Sequence, residues 1–63
     1  MAHWVTTKYV IAVIRKDWGE VQITNLAWEY LVNVFTFDPN DERKGVKTID
    51  GFLGDALAYA LSL

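Results

Sequence analysis

Side chains that could act as acid, base or nucleophile are few in this sequence and widely spaced. His3 is the only histidine and Ser62 the only serine, and they lie near opposite ends of the chain. A hydroxyl nucleophile needs a base within hydrogen-bonding reach and a third group that orients that base. There is no cysteine, which excludes a disulfide or a thiolate metal site. The sequence therefore predicts a protein that is not an enzyme and holds no cofactor or metal.

Pairs of carboxylates could in principle carry out acid/base chemistry. Asp17 and Glu20 flank a predicted turn, whereas Asp50 and Asp55 lie five residues apart in a predicted helix and so on different sides of it. We interpret all four as turn, cap or solvent-facing residues.

The polar segment 38–47 begins like a calcium-binding loop, with oxygen-bearing side chains at the alternate positions Asp38, Asn40 and Glu42. A calcium loop of this type also needs Gly at its sixth position and a bidentate Glu at its twelfth. Here those positions hold Arg43 and Ile49, so no calcium site is expected.

Basic residues form two small groups that could contact nucleic acid together with nearby tryptophans. The candidate contacts are Arg15, Lys16, Arg43, Lys44 and Lys47. The formal net charge of −2 and the acids that interrupt both groups argue against this function. We keep nucleic-acid binding as an alternative and do not expect it.

The composition predicts one small folded domain, residues 1–63, that needs a partner chain. The 63 residues are 52% hydrophobic and 14% aromatic, too apolar for a disordered segment. A chain of this length buries only about 60% of its unfolded surface, so its own core gives marginal stability. Without disulfides or a metal, the remaining reinforcement is association with another chain.

No targeting or membrane-spanning segment is expected. The longest early apolar run, residues 9–14, lies between Lys8 and Arg15 and is too short for a signal peptide. No stretch approaches the roughly 18 apolar residues of a membrane span. We therefore expect a cytoplasmic protein that does not bind membranes.

Three strands are predicted before residue 38. Residues 5–16 and 21–25 are rich in β-branched residues or alternate apolar with polar ones, and a turn signal at 17–20 joins them into a hairpin. Residues 28–37 predict a third strand, although Asn25 could instead cap a helix over this region. Residues 38–47 are expected to be an exposed loop.

A C-terminal amphipathic helix is predicted over residues 49–63, with Thr48 as N-cap and Asp50 in its first turn. Its apolar residues recur at spacings of three and four: Ile49, Phe52, Leu53, Ala56, Leu57, Ala60 and Leu61. The expected fold is α+β, a three-stranded antiparallel β-meander with this helix packed on the sheet, in the order β-β-β-α.

Both faces of the predicted sheet carry apolar side chains, but one helix covers only one face. The register of the hairpin determines which face the helix covers. A two-residue Trp18-Gly19 loop pairs Ile14 with Ile23, whereas a turn with Gly19 as a bulge pairs Val13 with Ile23. We favour the second, which suits the glycine better.

The uncovered face is predicted to be a surface for self-association or for a protein partner. A stripe of small residues on the helix is a second candidate, because it lets another backbone approach closely. The predicted surface comprises Trp28, Tyr30, Val32, Val34, Gly54, Ala58 and Ser62.

The function predicted by elimination is a non-catalytic protein–protein interaction module that forms homo-oligomers, with a dimer favoured. Small, acidic, cysteine-free domains of this type are often phage or mobile-element proteins that inhibit a host protein, which is an analogy of class and not of residues. The alternatives are a small nucleic-acid-binding protein and a structural subunit of a larger assembly.

Overall fold

The computed structural model describes residues 10–63, which form a four-stranded antiparallel sheet followed by one helix. The elements are β1 (Val10–Lys16), β2 (Gly19–Asn25), β3 (Glu29–Thr36), β4 (Gly45–Asp50) and α1 (Leu53–Ser62). The strands lie side by side in chain order, so β1 and β4 are the two edges. The predicted α+β class, antiparallel sheet and C-terminal helix are confirmed.

The strand count is a correction, since the sheet has four strands and not three. Part of the predicted loop and the predicted start of the helix together form β4, which pairs antiparallel with β3. Val46, Thr48 and Ile49 are β-branched residues that favour a strand. By pairing with β3, they also satisfy backbone groups that would otherwise be left at its edge.

The helix begins at Leu53, so Thr48 is not its N-cap and Asp50 is the last residue of β4. Gly51 separates strand from helix with a φ of 114°, a conformation that favours glycine. The acidic residue in the first turn of the helix is Asp55 and not Asp50. The Oδ2 atom of Asp55 accepts a hydrogen bond from the Phe52 amide at 3.2 Å. A carboxylate here also faces the positive end of the helix dipole.

The third predicted strand is confirmed as β3, and the helical alternative for this region is wrong. The first predicted strand is confirmed from Val10 onward, while residues 5–9 lie outside the described residues.

Neither predicted hairpin register is correct. The β1–β2 turn consists of Asp17 and Trp18, so that Lys16 pairs with Gly19 and Val13 with Gln22. Gly19 is therefore the first residue of β2 and not a turn residue. It allows close approach of β3, because a Cβ here would lie 2.9 Å from the Phe35 carbonyl carbon and would overlap its oxygen. A second irregularity, a bulge, lies between Val10 and Ala12.

The core lies between α1 and one face of the sheet. Val21 and Ile23 of β2 pair with Val34 and Val32 of β3, and all four are buried. From the helix only Ala56 and Ala60 are fully buried, and their small side chains let α1 lie close to the sheet. We call this side of the sheet the helix-covered face.

Candidate interaction surface

The other side of the sheet has no covering layer among the described residues, and we call it the open face. Strand alternation and pairing assign its side chains. They are Val10, Ile11, Val13, Arg15, Glu20, Gln22, Thr24, Glu29, Leu31, Asn33, Phe35, Val46, Thr48 and Asp50, with Val10 and Ile11 both on this face because of the bulge in β1. Four large hydrophobic residues among them are exposed, namely Ile11, Val13, Phe35 and Val46.

The middle of the open face is polar. Gln22 and Asn33 are cross-strand neighbours, both half-buried, with Val13 and Val46 on either side of them in the same row. The Gln22 side chain donates a hydrogen bond from Nε2 to Glu20 Oε2 at 2.8 Å. The face therefore offers central amide groups with apolar side chains on both sides of them.

Three residues predicted for the association surface lie instead on the helix-covered face. Val32 and Val34 are buried beneath α1, and Tyr30 is half-buried beside the core. The reason is the hairpin register, which places Ile14 and Val21 as partners on the helix side and thereby fixes the faces of β3. Leu31 and Phe35 take their place on the open face, as the alternation of β3 requires.

Trp28 lies outside the sheet, in the β2–β3 turn, and is 89% exposed. Phe52 is 81% exposed in the connection between β4 and α1. Trp28 directly precedes Glu29, and Phe52 follows Asp50 by two residues. Because Glu29 and Asp50 are cross-strand partners, the two aromatic residues lie at the same end of the sheet. Phe52, which the sequence pattern predicts as part of the apolar stripe of the helix, lies outside the helix, because α1 begins only at Leu53.

The small-residue stripe Gly54, Ala58 and Ser62 is exposed on α1. A Cβ at Gly54 would meet no atom within 4 Å, so the sheet does not need this glycine for close approach. The Ser62 hydroxyl donates to the Tyr59 carbonyl oxygen at 2.6 Å within the helix. The stripe remains an unpartnered feature of the helix surface.

Arg15, Lys16, Arg43 and Lys44 lie at the same end of the sheet, near the β1–β2 turn and the β3–β4 loop, whereas Lys47 lies within β4. The Phe37 amide joins the turn and the loop by donating to the Trp18 carbonyl oxygen at 3.0 Å. Arg43 is held there by its own neighbours. Its Nη2 and Nε atoms donate to Asp41 at 2.6 and 2.9 Å, and its guanidinium lies 4.0 Å from the centre of the Trp18 ring. A Trp18 face covered in this way is not free to stack on a base.

The Arg43 contact changes the acidity of Asp41. The hydrogen bonds that the Arg43 side chain donates, together with the one from the Arg43 backbone amide, lower the pKa of Asp41 to about 2. Bidentate, charge-assisted contacts of this kind favour the ionised carboxylate. They give the β3–β4 loop a fixed internal ion pair.

Lys16 and Lys47 both lie on the helix-covered side. Lys16 Nζ donates to the main-chain oxygens of Leu63 at 3.2 Å and Leu61 at 3.5 Å. These contacts place a cation at the negative end of α1, whose last turn has no basic residue of its own. Lys47 Nζ lies 5.2 Å from the centre of the Tyr59 ring. The five predicted nucleic-acid contacts are thus divided between the two faces and do not form a single basic stripe.

A cavity of 160 Å³ lies between the β3–β4 loop and α1. It is lined by Val34, Glu42, Arg43, Lys44, Gly45, Val46, Lys47 and Tyr59.

Within residues 10–63 there is no group of three acidic or histidine side chains that could hold a metal ion. In the same range no helix has the length and apolar character needed to cross a membrane. His3 lies outside the described residues.

These features define the chain as an α+β domain in which a four-stranded antiparallel meander carries one C-terminal helix. In comparisons with protein-family models, curated proteins and solved structures, nothing matched.

Proposed function

We propose that this protein is a non-catalytic protein–protein interaction module that self-associates through its open face. The observation that carries the proposal is the exposure of Ile11, Val13, Phe35 and Val46 on the side of the sheet opposite the helix. These exposed apolar side chains form two groups on one face, with Gln22 and Asn33 between them, and exposed apolar surface of this kind marks a candidate interaction site.

The small core supports the same proposal. Among residues 10–63, only three large side chains, Val21, Ile23 and Val32, are fully buried, while ten large hydrophobic residues are exposed. A core of this size contributes little stability in a domain without disulfides or metal. Covering the open face with another chain removes apolar surface from water and adds stability by mass action.

The aromatic residues Trp28 and Phe52 suit the capture of a second, different protein. They lie at one end of the sheet, and large aromatic side chains dominate the binding energy of many interfaces. With self-association on the open face, this end is the surface that we assign to a target. The wider role that we propose, a small binding or inhibitor protein of phage type, is suggested by size and composition alone.

The open face can be tested with two matched substitutions. Val46→Lys adds one charge to the open face, and Leu61→Lys adds the same charge to the outer side of α1, with native side chains that are 60% and 62% exposed. We expect the wild type and Leu61→Lys to sediment as dimers at about 200 μM, and Val46→Lys as a 7.2 kDa monomer, because a buried unpaired charge opposes association.

A wild-type protein that remains a monomer in this experiment would refute self-association. An open-ended series of larger species would favour the structural-subunit alternative. Fluorescence anisotropy with labelled single- and double-stranded nucleic acid at low salt tests the other alternative, and we expect no binding at tens of micromolar.

A further inference from the structure

The open face carries opposite charges at two diagonally opposed corners. β1 and β4 are the two edge strands, and because every neighbouring pair is antiparallel, they run in opposite directions. Arg15 lies next to the last residue of β1, and Asp50 is the last residue of β4. These two charges are therefore separated by both the width and the length of the sheet.

The acidic corner consists of two carboxylates. Glu29 of β3 and Asp50 of β4 are direct cross-strand partners, and like charges in this position repel each other. Within residues 10–63 neither carboxylate has a basic group within ion-pair distance. Among the described residues, no cation offsets the repulsion at this corner.

The basic corner has unused hydrogen-bonding capacity. Arg15 is 86% exposed, and its one ion pair joins Nε to Glu20 Oε1 at 3.7 Å. A guanidinium carries five N–H donors in a planar fork that suits carboxylates. Most of these donors have no partner in the described chain.

We propose that the partner on the open face is a second copy of this chain, bound so that the Arg15 corner of each copy lies over the Glu29–Asp50 corner of the other. This inference rests on the self-association proposed above and specifies its orientation. A two-fold axis along the other diagonal of the face produces this arrangement. The strands of the two sheets then cross at close to a right angle, which is one of the two common ways in which sheets pack.

The alternative two-fold orientations do not pair the charges. An axis parallel to the strands places Arg15 over the start of β4, beside Lys44 of the other copy. An axis perpendicular to the strands places Arg15 over the start of β1, at Val10. Only the axis along the diagonal that does not join Arg15 to Asp50 gives two equivalent ion-pair sites. Phe35 and Val46 lie near this axis, so each contacts the same residues of the other copy.

The size of the face indicates a dimer that dissociates on dilution. Four strands at a spacing of about 4.8 Å and about seven residues at about 3.4 Å each give a footprint of roughly 450 Å². Counted on both copies, this is about 900 Å², below the roughly 1,200–2,000 Å² of standard specific interfaces and in the range of weak, transient ones. We expect the dimer at high micromolar concentration and the monomer after dilution.

A charge-swap experiment tests the orientation. Arg15→Glu and Asp50→Lys are prepared separately, together with the double variant Arg15→Glu/Asp50→Lys, and dimerisation is measured by sedimentation velocity. Each single variant should raise the dimer dissociation constant about ten-fold or more. Arg15→Glu makes both symmetric corner contacts repulsive, and Asp50→Lys, next to the unchanged Glu29, removes the net negative charge of both acidic corners. An equimolar mixture of the two single variants should form heterodimers. The double variant should dimerise more tightly than either single variant but less tightly than the wild type, because Glu29 is unchanged.

Lys47→Glu is the matched control, because it makes the same change in net charge as Arg15→Glu on the helix-covered side. It should leave the dissociation constant unchanged, and circular dichroism checks that every variant is folded. If the wild type dimerises but the mixture and the double variant do not recover, the orientation is wrong while self-association stands. If the wild type never dimerises, the proposed function itself fails.

Discussion

Two of the basic side chains at the β1–β2 end of the sheet, Lys16 and Arg43, are held by partners within the chain. Arg43 is bound by Asp41 and lies on Trp18, and Lys16 binds the end of the helix. At the level of sequence these residues were candidates for phosphate contacts. Sequence could not show their engagement, because Lys16 and Leu63 are 47 positions apart and meet only after the hairpin and helix have packed.

The Asp41–Arg43 pair predicts a pH dependence with a definite sign. The pKa of Asp41 falls from 3.8 to about 2 on folding, so the folded state favours the ionised form. The resulting stabilisation is present above pH 3.8 and is lost as the pH falls toward 2. The melting temperature of the wild type should exceed that of Asp41→Asn at neutral pH, and the difference should disappear near pH 2.

Thermal melts of both proteins at pH steps between 2 and 7 provide the measurement. Arg43→Gln serves as a second variant: it removes the same ion pair from the other side and also the contact with Trp18, so its melting temperature at neutral pH should be no higher than that of Asp41→Asn. A difference between wild type and Asp41→Asn that stays constant down to pH 2 would contradict the contact.

At the scale of elements, β1, β2, β3 and the helix could be predicted from sequence, whereas β4 could not. Val46, Thr48 and Ile49 form a short β-branched run, but they follow a polar segment and merge with the apolar spacing of the helix. The spacing of apolar residues that predicts the helix therefore continues into the residues of β4. What distinguishes the two is Gly51, whose positive φ no helix interior accepts.

The boundary of α1 gives a prediction at this scale. Because Asp55 accepts the Phe52 amide, Asp55→Ala should lower the free energy of unfolding by about 1 kcal/mol, as the loss of a cap commonly does. Asp50→Ala should change it by less than about 0.5 kcal/mol, since Asp50 has no such bond. Urea unfolding at low micromolar concentration, where association is absent, measures both.

The opposite ranking would show that the helix begins earlier, as the sequence pattern suggested. Helicity from circular dichroism provides an independent check, because a longer helix that includes residues 49–52 would give a larger signal per residue.

On the scale of the whole molecule, the sequence predicted that one face of the sheet would lack a covering layer, but assigned the wrong face. The assignment depended on the register at Asp17 and Trp18, where a shift of one residue exchanges the faces. That register is set by Gly19, which has to be in β2 because its lack of a side chain lets the β3 backbone pass. This contact joins two strands and is not visible within the hairpin sequence.

Self-association predicts that stability depends on concentration. For a dimer, raising the protein concentration from about 5 to about 500 μM should raise the melting temperature by several degrees, since a domain of this size gains about 4–8 °C per kcal/mol. Val46→Lys should melt at the same temperature throughout. Differential scanning calorimetry at three concentrations makes the comparison, and a wild-type melting temperature independent of concentration would count against the dimer.

The bulge between Val10 and Ala12 also bears on how far assembly can proceed. An edge strand with regular backbone spacing accepts further strands without limit, which leads to fibres. In β1 the bulge interrupts that spacing, and Arg15 and Lys16 place two cations at the end of the strand. The other edge, β4, has only six residues and carries Lys47. With both edges protected, association uses only the open face, and each open face can be covered by one other copy. Association therefore stops at the dimer, and concentrated solutions of the protein should stay clear.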